Sequence, residues 1–134
     1  MASTFYLEVL TPERIFYTGP AQEVIFQAID GLHGVLPNHE PMVTALSAGE
    51  MKYKVDGKWR VAALGKGFAE IMPEYVIILV DTAERPEEID IKRAELARER
   101  AEERLRQKRS LEEYYQSQAA LSRALARLKA GRDI

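Results

Sequence analysis

The segment Val80-Asp81-Thr82-Ala83-Glu84-Arg85-Pro86-Glu87-Glu88-Ile89-Asp90-Ile91-Lys92-Arg93-Ala94 divides two kinds of sequence. Before Pro86, short runs of alternating apolar and polar residues are punctuated by Gly and Pro. From Glu87 to Ala130 there is no Gly or Pro, and Ala, Leu, Glu, Arg and Lys dominate. The first pattern has the two-residue period of strands, and the second has the composition of helix. The fold class is therefore α+β. An N-terminal antiparallel β-sandwich or flattened barrel is expected over residues 1–85, and a C-terminal two-helix antiparallel hairpin over 86–134. A compact β module joined to a charged helical tail suits a chain that holds something with one half and moves the other, rather than an enzyme.

Upstream of the divide, Phe5, Leu7 and Val9 alternate with Tyr6 and Glu8, the mark of a half-buried strand. Thr11-Pro12-Glu13-Arg14 reads as a turn, with strands Ile15-Phe16-Tyr17 and Glu23-Val24-Ile25-Phe26 on either side of Gly19-Pro20. The strongest local signal is Asp56-Gly57 between the alternating runs Met51–Val55 and Lys58–Val61. Such a pair predicts a two-residue hairpin, because Gly readily takes the positive φ the turn demands. Gly65-Lys66-Gly67 is another turn before Phe68–Ile71, and Asp81 ends the buried-strand run Tyr75–Val80.

Downstream, Pro86 suits the first helical position, where its missing N–H costs nothing, and Glu87 and Glu88 favour the positive helix end. Ala94, Ala97, Ala101 and Leu105 form one narrow apolar seam. Leu111, Tyr114, Gln118, Leu121, Leu125 and Leu128 form a second, with Ala120 and Ala124 alongside. Between them Ser110-Leu111-Glu112-Glu113 matches a capping box, so two helices are the default. A cap contributes only about 1 kcal/mol, and no breaker enforces the turn. The same residues also suit one continuous rod of about 65 Å. Two arrangements of similar free energy make a switch that a ligand or partner can bias; a permanently folded hairpin is the alternative.

Composition narrows the function. The chain has 134 residues and no cysteine, which excludes disulfides and thiolate metal sites and favours an intracellular home. Met1-Ala2-Ser3-Thr4 lacks the basic-then-apolar pattern of a signal peptide, and no run approaches the roughly 20 apolar residues of a membrane span, so a soluble chain without a transmembrane segment is expected. Residues through Pro86 carry seven Lys/Arg against eleven Asp/Glu; the rest carry twelve against ten. The basic residues cluster at Arg104, Arg106, Lys108 and Arg109, and again at Arg123, Arg127, Lys129 and Arg132. They make either a solvated helix face or a surface for an acidic or phosphate-bearing partner. The net charge of −2 and the lack of a reading motif speak against nucleic acid.

Catalytic signals are weak. His33 and His39 flank Gly34–Asn38 near Asp30 and Glu40, but no third His completes a site, and a tight loop with locally satisfied polar groups is expected. Gly65-Lys66-Gly67 is too short for a phosphate loop, and there is no nucleophile elbow or dinucleotide fingerprint. A small hydrolase using Asp30 and His39 would need those side chains to converge.

The chain resembles the epsilon subunit of the bacterial F-type rotary ATP synthase. The resemblance is carried by Phe5–Glu13, Asp30–Pro41, Gly65–Glu70 and Val80–Glu84, and in the tail by Glu88–Ala94 and Leu121–Leu128. It implies a non-catalytic rotor component at the cytoplasmic face of the bacterial plasma membrane, peripheral to it. The sandwich would grip the gamma subunit and rest on the c-ring, with Leu36, Pro37, Asn38 and His39 in the contact segment. The tail would lie folded on the sandwich or extend along gamma into the alpha/beta hexamer and inhibit ATP hydrolysis. Arg104, Arg106 and Arg109, with Arg123 and Arg127, are candidates to meet an acidic segment of the beta subunit.

In some bacterial members of that family the folded hairpin also binds one ATP through an Ile-Asp-x-x-Arg-Ala motif, present here as Ile89-Asp90-Ile91-Lys92-Arg93-Ala94. The resemblance places Glu84 and Asp90 on the adenine or ribose side and Arg93, Arg123 and Arg127 nearer the phosphates. No cofactor is required; ATP is expected as a regulatory ligand. Read without the resemblance, Asp90 is a helix N-cap and Arg93 a surface ion-pair partner.

Overall fold

The structure is a computed structural model that describes residues 3–107 and 111–132, and the side chains of residues 3–106 and 116–132. Ten strands come first: β1 Phe5–Leu10, β2 Ile15–Ala21, β3 Glu23–Ala28, β4 Gly31–Val35, β5 Met42–Leu46, β6 Gly49–Val55, β7 Lys58–Leu64, β8 Gly67–Ile71, β9 Tyr75–Val80 and β10 Ala83–Glu84. A single 3-10 turn, Pro86–Glu88, leads to helices α1, Ile91–Gln107, and α2, Leu111–Arg132.

The strands run in the order β10-β7-β6-β3-β5-β8-β9-β1-β2, with β4 paired to β3. All pairs are antiparallel except β1 with β9, which are parallel with Tyr6 beside Tyr75 and Leu10 beside Leu79. The sheet folds over one core. Its inward faces supply Phe5, Leu7 and Val9, as the alternation predicts, together with Val24, Phe26, Met51, Ile71, Val76 and Ile78, all buried. Asp56 and Gly57 both have positive φ, 52° and 76°, as a primed hairpin turn requires.

Two expectations need correction in the sandwich. Gly19 and Pro20 do not separate strands but lie inside β2, opposite Leu7 and Tyr6. Because β2 is an edge strand, a proline without an N–H leaves no ladder bond unmade. His33 and Gly34 are not in a loop. They belong to β4, where the His33 ring stacks on Phe26 at 5.9 Å, and the irregular connection to β5 is Leu36–Pro41.

The helical half departs from expectation in its start and its seams. Pro86 opens a 3-10 turn, while α1 begins at Ile91 behind Asp90, whose Oδ1 accepts the Arg93 N–H at 3.1 Å. Ile89 intervenes in an extended conformation and cannot continue the helix. On α1, Ala94 and Ala101 are buried and Ala97 and Leu105 half-buried. On α2 the buried positions are Ser117, Ala124 and Leu128, with Ala126 and Ala130 on an adjoining face, while Gln118 and Leu125 are exposed. Helix α2 serves two neighbours, α1 and the strands β6 and β7, so its apolar surface is divided instead of forming one leucine stripe. Leu111 and Tyr114 and the Ser110–Glu113 cap fall outside the described side chains.

Candidate functional site

Ile89, Ala63 and Ala130 form a small apolar cluster, flanked by Val61 and Ile91, that seats the end of α2 on the sheet. Above it, the linker and both helices enclose a cleft of about 320 Å³. Glu84 comes from β10, Glu88 from the 3-10 turn of the linker, Asp90 from the α1 cap, Arg93 and Arg100 from one face of α1 about two turns apart, and Arg127 from α2. Ala94 and Ala97 line the same wall, and their small side chains leave room between the guanidiniums. Three carboxylates face three guanidiniums, so the site is polar and formally neutral.

Its internal bonds are specific. Arg127 Nε donates to Glu84 Oε1 at 2.7 Å, with about a third of the arginine side chain and a quarter of the glutamate exposed. Glu88 accepts from Arg14 Nη1 and Nη2 at 2.8 and 3.1 Å and from the Arg85 N–H at 2.9 Å. These bonds, Arg14 foremost, hold its carboxyl down at about 2. Asp90 uses one oxygen as the helix cap. A carboxylate has about four acceptor positions, so capping leaves capacity for a ligand hydroxyl. Arginine offers forked, charge-assisted bonds to phosphate oxygens.

Of the six residues expected around a nucleotide, the fold brings Glu84, Asp90, Arg93 and Arg127 to this cleft. Ile89 lies beneath it, 9% exposed, as part of the apolar seat. Arg123 lies one turn away, in a small depression with Thr82, Glu84 and Arg127. Arg100 and Glu88 were not anticipated. Arg100 stands seven residues, about two turns, beyond Arg93 and so on the same helix face, a spacing visible in the sequence. Glu88 gave no such sign.

Leu36 is exposed, Pro37 and His39 are half-buried, and Asn38 takes a positive φ of 66° while its N–H donates to Pro73 O at 2.9 Å. His39 Nδ1 lies 2.7 Å from Glu40 O, and the Asp30 carboxylate meets His33 at 3.0 Å, not His39. Arg106 pairs with Glu103, Arg104 Nε donates to Arg100 O, and Arg109 lies outside the described residues. Among the described residues, no group of three or more His, Cys, Asp or Glu could hold a metal ion, and no helix is long and apolar enough to cross a membrane.

A β-sandwich carrying a docked helical hairpin, with a polar cleft at their junction, defines a two-domain chain without a catalytic constellation among the described residues. Two family domains match it end to end: the ATP synthase delta/epsilon beta-sandwich domain over residues 4–86 and the delta/epsilon long alpha-helix domain over 87–131. The ATP synthase epsilon chain of Ruminiclostridium cellulolyticum is 56% identical over 128 residues, covering 96% of each chain. That of Caldanaerobacter subterraneus subsp. tengcongensis is 51% identical, covering 96% of this chain and 94% of its own. The chain belongs to the ATP synthase delta/epsilon family, as an epsilon-type, non-catalytic subunit.

The fold is also that of a chain in the cryo-EM structure of the Euglena gracilis mitochondrial ATP synthase OSCP/F1/c-ring assembly. That match has a TM-score of 0.85 and 24% identity, covering 98% of this chain and 83% of the other. A chain of the Tetrahymena thermophila mitochondrial ATP synthase central stalk and c-ring aligns with a TM-score of 0.67 and 11% identity, covering 95% and 96%.

Proposed function

We propose that this chain is a central-stalk rotor subunit that joins gamma to the c-ring and brakes ATP hydrolysis through its helical tail, with ATP stabilising the folded hairpin. The observation that carries the regulatory half is the composition of the cleft. Its walls come from the linker, α1 and α2 together, so it exists only while the hairpin is folded. A ligand that binds one state and not the other shifts the population toward that state. ATP suits the chemistry: Arg93, Arg100 and Arg127 meet the phosphates, and Asp90 accepts from a ribose hydroxyl. Glu84, released by Arg127, accepts from the adenine amino group. The basic faces of the tail then serve the acidic surface of the alpha/beta hexamer when ATP leaves.

The rotor half is supported by the outer face of β5, β8 and β9. Val43, Phe68 and Leu79, on neighbouring strands, are 70, 60 and 51% exposed. A contiguous apolar face on a strand surface marks a protein contact, here assigned to gamma, with Leu36–His39 at the c-ring. The subunit works at the cytoplasmic face of the membrane without entering it.

Calorimetric titration of ATP into the isolated chain tests the regulatory half, with Arg93→Ala as control. Saturable binding lost in the variant is expected. No binding up to several millimolar would leave a brake set by other means.

A further inference from the structure

Helix α2 crosses the sheet where Glu50, Ala63 and Glu84 stand side by side on three strands. Glu50 is paired with Ala63 across β6–β7, and Glu84 with Ala63 across β7–β10. Strands lie about 4.8 Å apart, so the two glutamates flank the alanine at a separation of about 10 Å. That is the width of a helix. Directly paired residues share a face, so the sheet offers the helix a carboxylate, a methyl group and a second carboxylate in one row.

The helix answers this row position by position. Ala130 is buried with Ala63 at the centre. Arg127 reaches Glu84 on one flank at 2.7 Å, and Lys129 Nζ comes within 3.6 Å of Glu50 Oε1 on the other. The two flanks differ. Arg127 lines the nucleotide cleft, whereas Glu50 and Lys129 line a separate groove of about 580 Å³ on the far side of α2, with Leu32, Leu125 and Lys52. The Glu50 side chain is only 6% exposed, with Lys52 at 3.8 Å, so its contacts are less screened by water than those of a surface acid.

We propose that Glu50 and Lys129 form the nucleotide-independent clasp of the folded tail. The inference rests on the reading above, in which the tail moves and ATP holds it folded. When phosphates draw Arg127 away from Glu84, one flank of α2 loses its tie to the sheet. The clasp on the opposite flank keeps the helix seated through that exchange, so binding does not undock the element that forms the site. In the empty protein it sets how readily the tail leaves.

Native-state hydrogen exchange of the full chain tests this, read at the α2 amides from Ser117 to Leu128 with and without ATP. Lys129→Ala is expected to accelerate their exchange about three- to fivefold, with the strand amides of β1–β9 unchanged and the acceleration persisting at saturating ATP. In a Glu50→Gln background the same substitution should add nothing, whereas Lys52→Ala should leave the α2 amides as they are. Equal acceleration in both backgrounds would mean that Lys129 acts on the helix terminus and not on Glu50, and would overturn the clasp. Should Glu50→Gln loosen the sandwich itself, Lys129→Glu in the unaltered background decides. Reversal of charge beside Glu50 must exceed the effect of Ala, and equality overturns the proposal. The ATP-free arm stands alone, so a failure of ATP to slow exchange would defeat the nucleotide reading without touching the clasp.

Discussion

Arg14 grips Glu88 with both ends of its guanidinium, 2.8 and 3.1 Å from the two carboxylate oxygens, across 74 positions of sequence. The same guanidinium donates to Ala83 O at 2.7 Å, and Arg85 Nη2 donates back to Phe16 O at 2.7 Å. Both guanidiniums lie over the Phe16 ring. The root of the tail is thus bonded to the turn after β1 and to β2, and the Glu84–Glu88 wall of the cleft belongs mechanically to the sandwich.

The bond has a pH signature. A carboxyl whose pKa falls from its ordinary 4.5 to about 2 on folding binds fewer protons in the folded state. Its stabilisation is therefore whole above about pH 4.5 and fades as pH drops toward 2. Arg14→Ala should raise the Glu88 midpoint toward 4.5, seen by NMR titration of its side-chain carboxyl carbon. Because the pair is a third exposed, the accompanying loss at neutral pH should be no more than about 1 kcal/mol.

Arg100 tests the cleft as distinct from the motif. It lines the same wall as Arg93, outside the Ile89–Ala94 signature. Arg100→Ala should weaken ATP binding by tenfold or more, the order of one charge-assisted hydrogen bond of about 1.5–3 kcal/mol. An unchanged calorimetric affinity would place the phosphates elsewhere.

Gly131 closes the far end of α2 against the start of α1. A Cβ there would stand 2.2 Å from Ile91 Cδ1 and 3.8 Å from Ile89 Cγ2. Gly131→Val should loosen the folded hairpin by about 1–2 kcal/mol through overpacking, since Ile91 can yield only in part. Faster exchange of the α2 amides, with the sandwich unaltered, is the expected result.

For the assembly, adding this chain to its hexamer–gamma complex should slow ATP hydrolysis, and removing Glu87 onward should relieve the inhibition while gamma binding persists. A steady-state ATPase assay beside a pull-down reads both. Loss of gamma binding in the truncated chain would contradict the assignment of that contact to the sandwich.

What the sequence discloses about this molecule is mostly local. Asp56-Gly57, the Phe5–Leu7–Val9 alternation and the Asp90 cap each depend on bonds within a few residues, and each is found as read. The turn inferred at Gly19-Pro20 failed because only the sheet order reveals β2 as an edge, where proline costs little. The seam on α2 held at Leu128 and Ala124 but broke at Gln118 and Leu125, because a helix packed on two neighbours does not show a single period: Leu125 is 47% exposed while Ser117 is buried. At the cleft, Arg93 and Arg127 were visible by resemblance, whereas Arg100 went unread although it lies about two turns beyond Arg93 on the same helix face. Glu88 was read only as an acid at a helix start; its tie to Arg14, 74 residues earlier, is not announced by any local pattern.

The parallel pairing of β1 with β9 bears on how the molecule is born. The first hairpin to leave a ribosome, β1 with β2, joins the rest of the hydrogen-bonded sheet only through β9. Its pairing into the sheet must wait until Tyr75–Val80 has been synthesised. Such long-range closure is slow compared with helix formation, so α1 and α2 can coil before the platform beneath them is sealed. Assembly of the sheet therefore runs out of order: β1 and β2, made before its other strands, are fastened into it only once β9 is available.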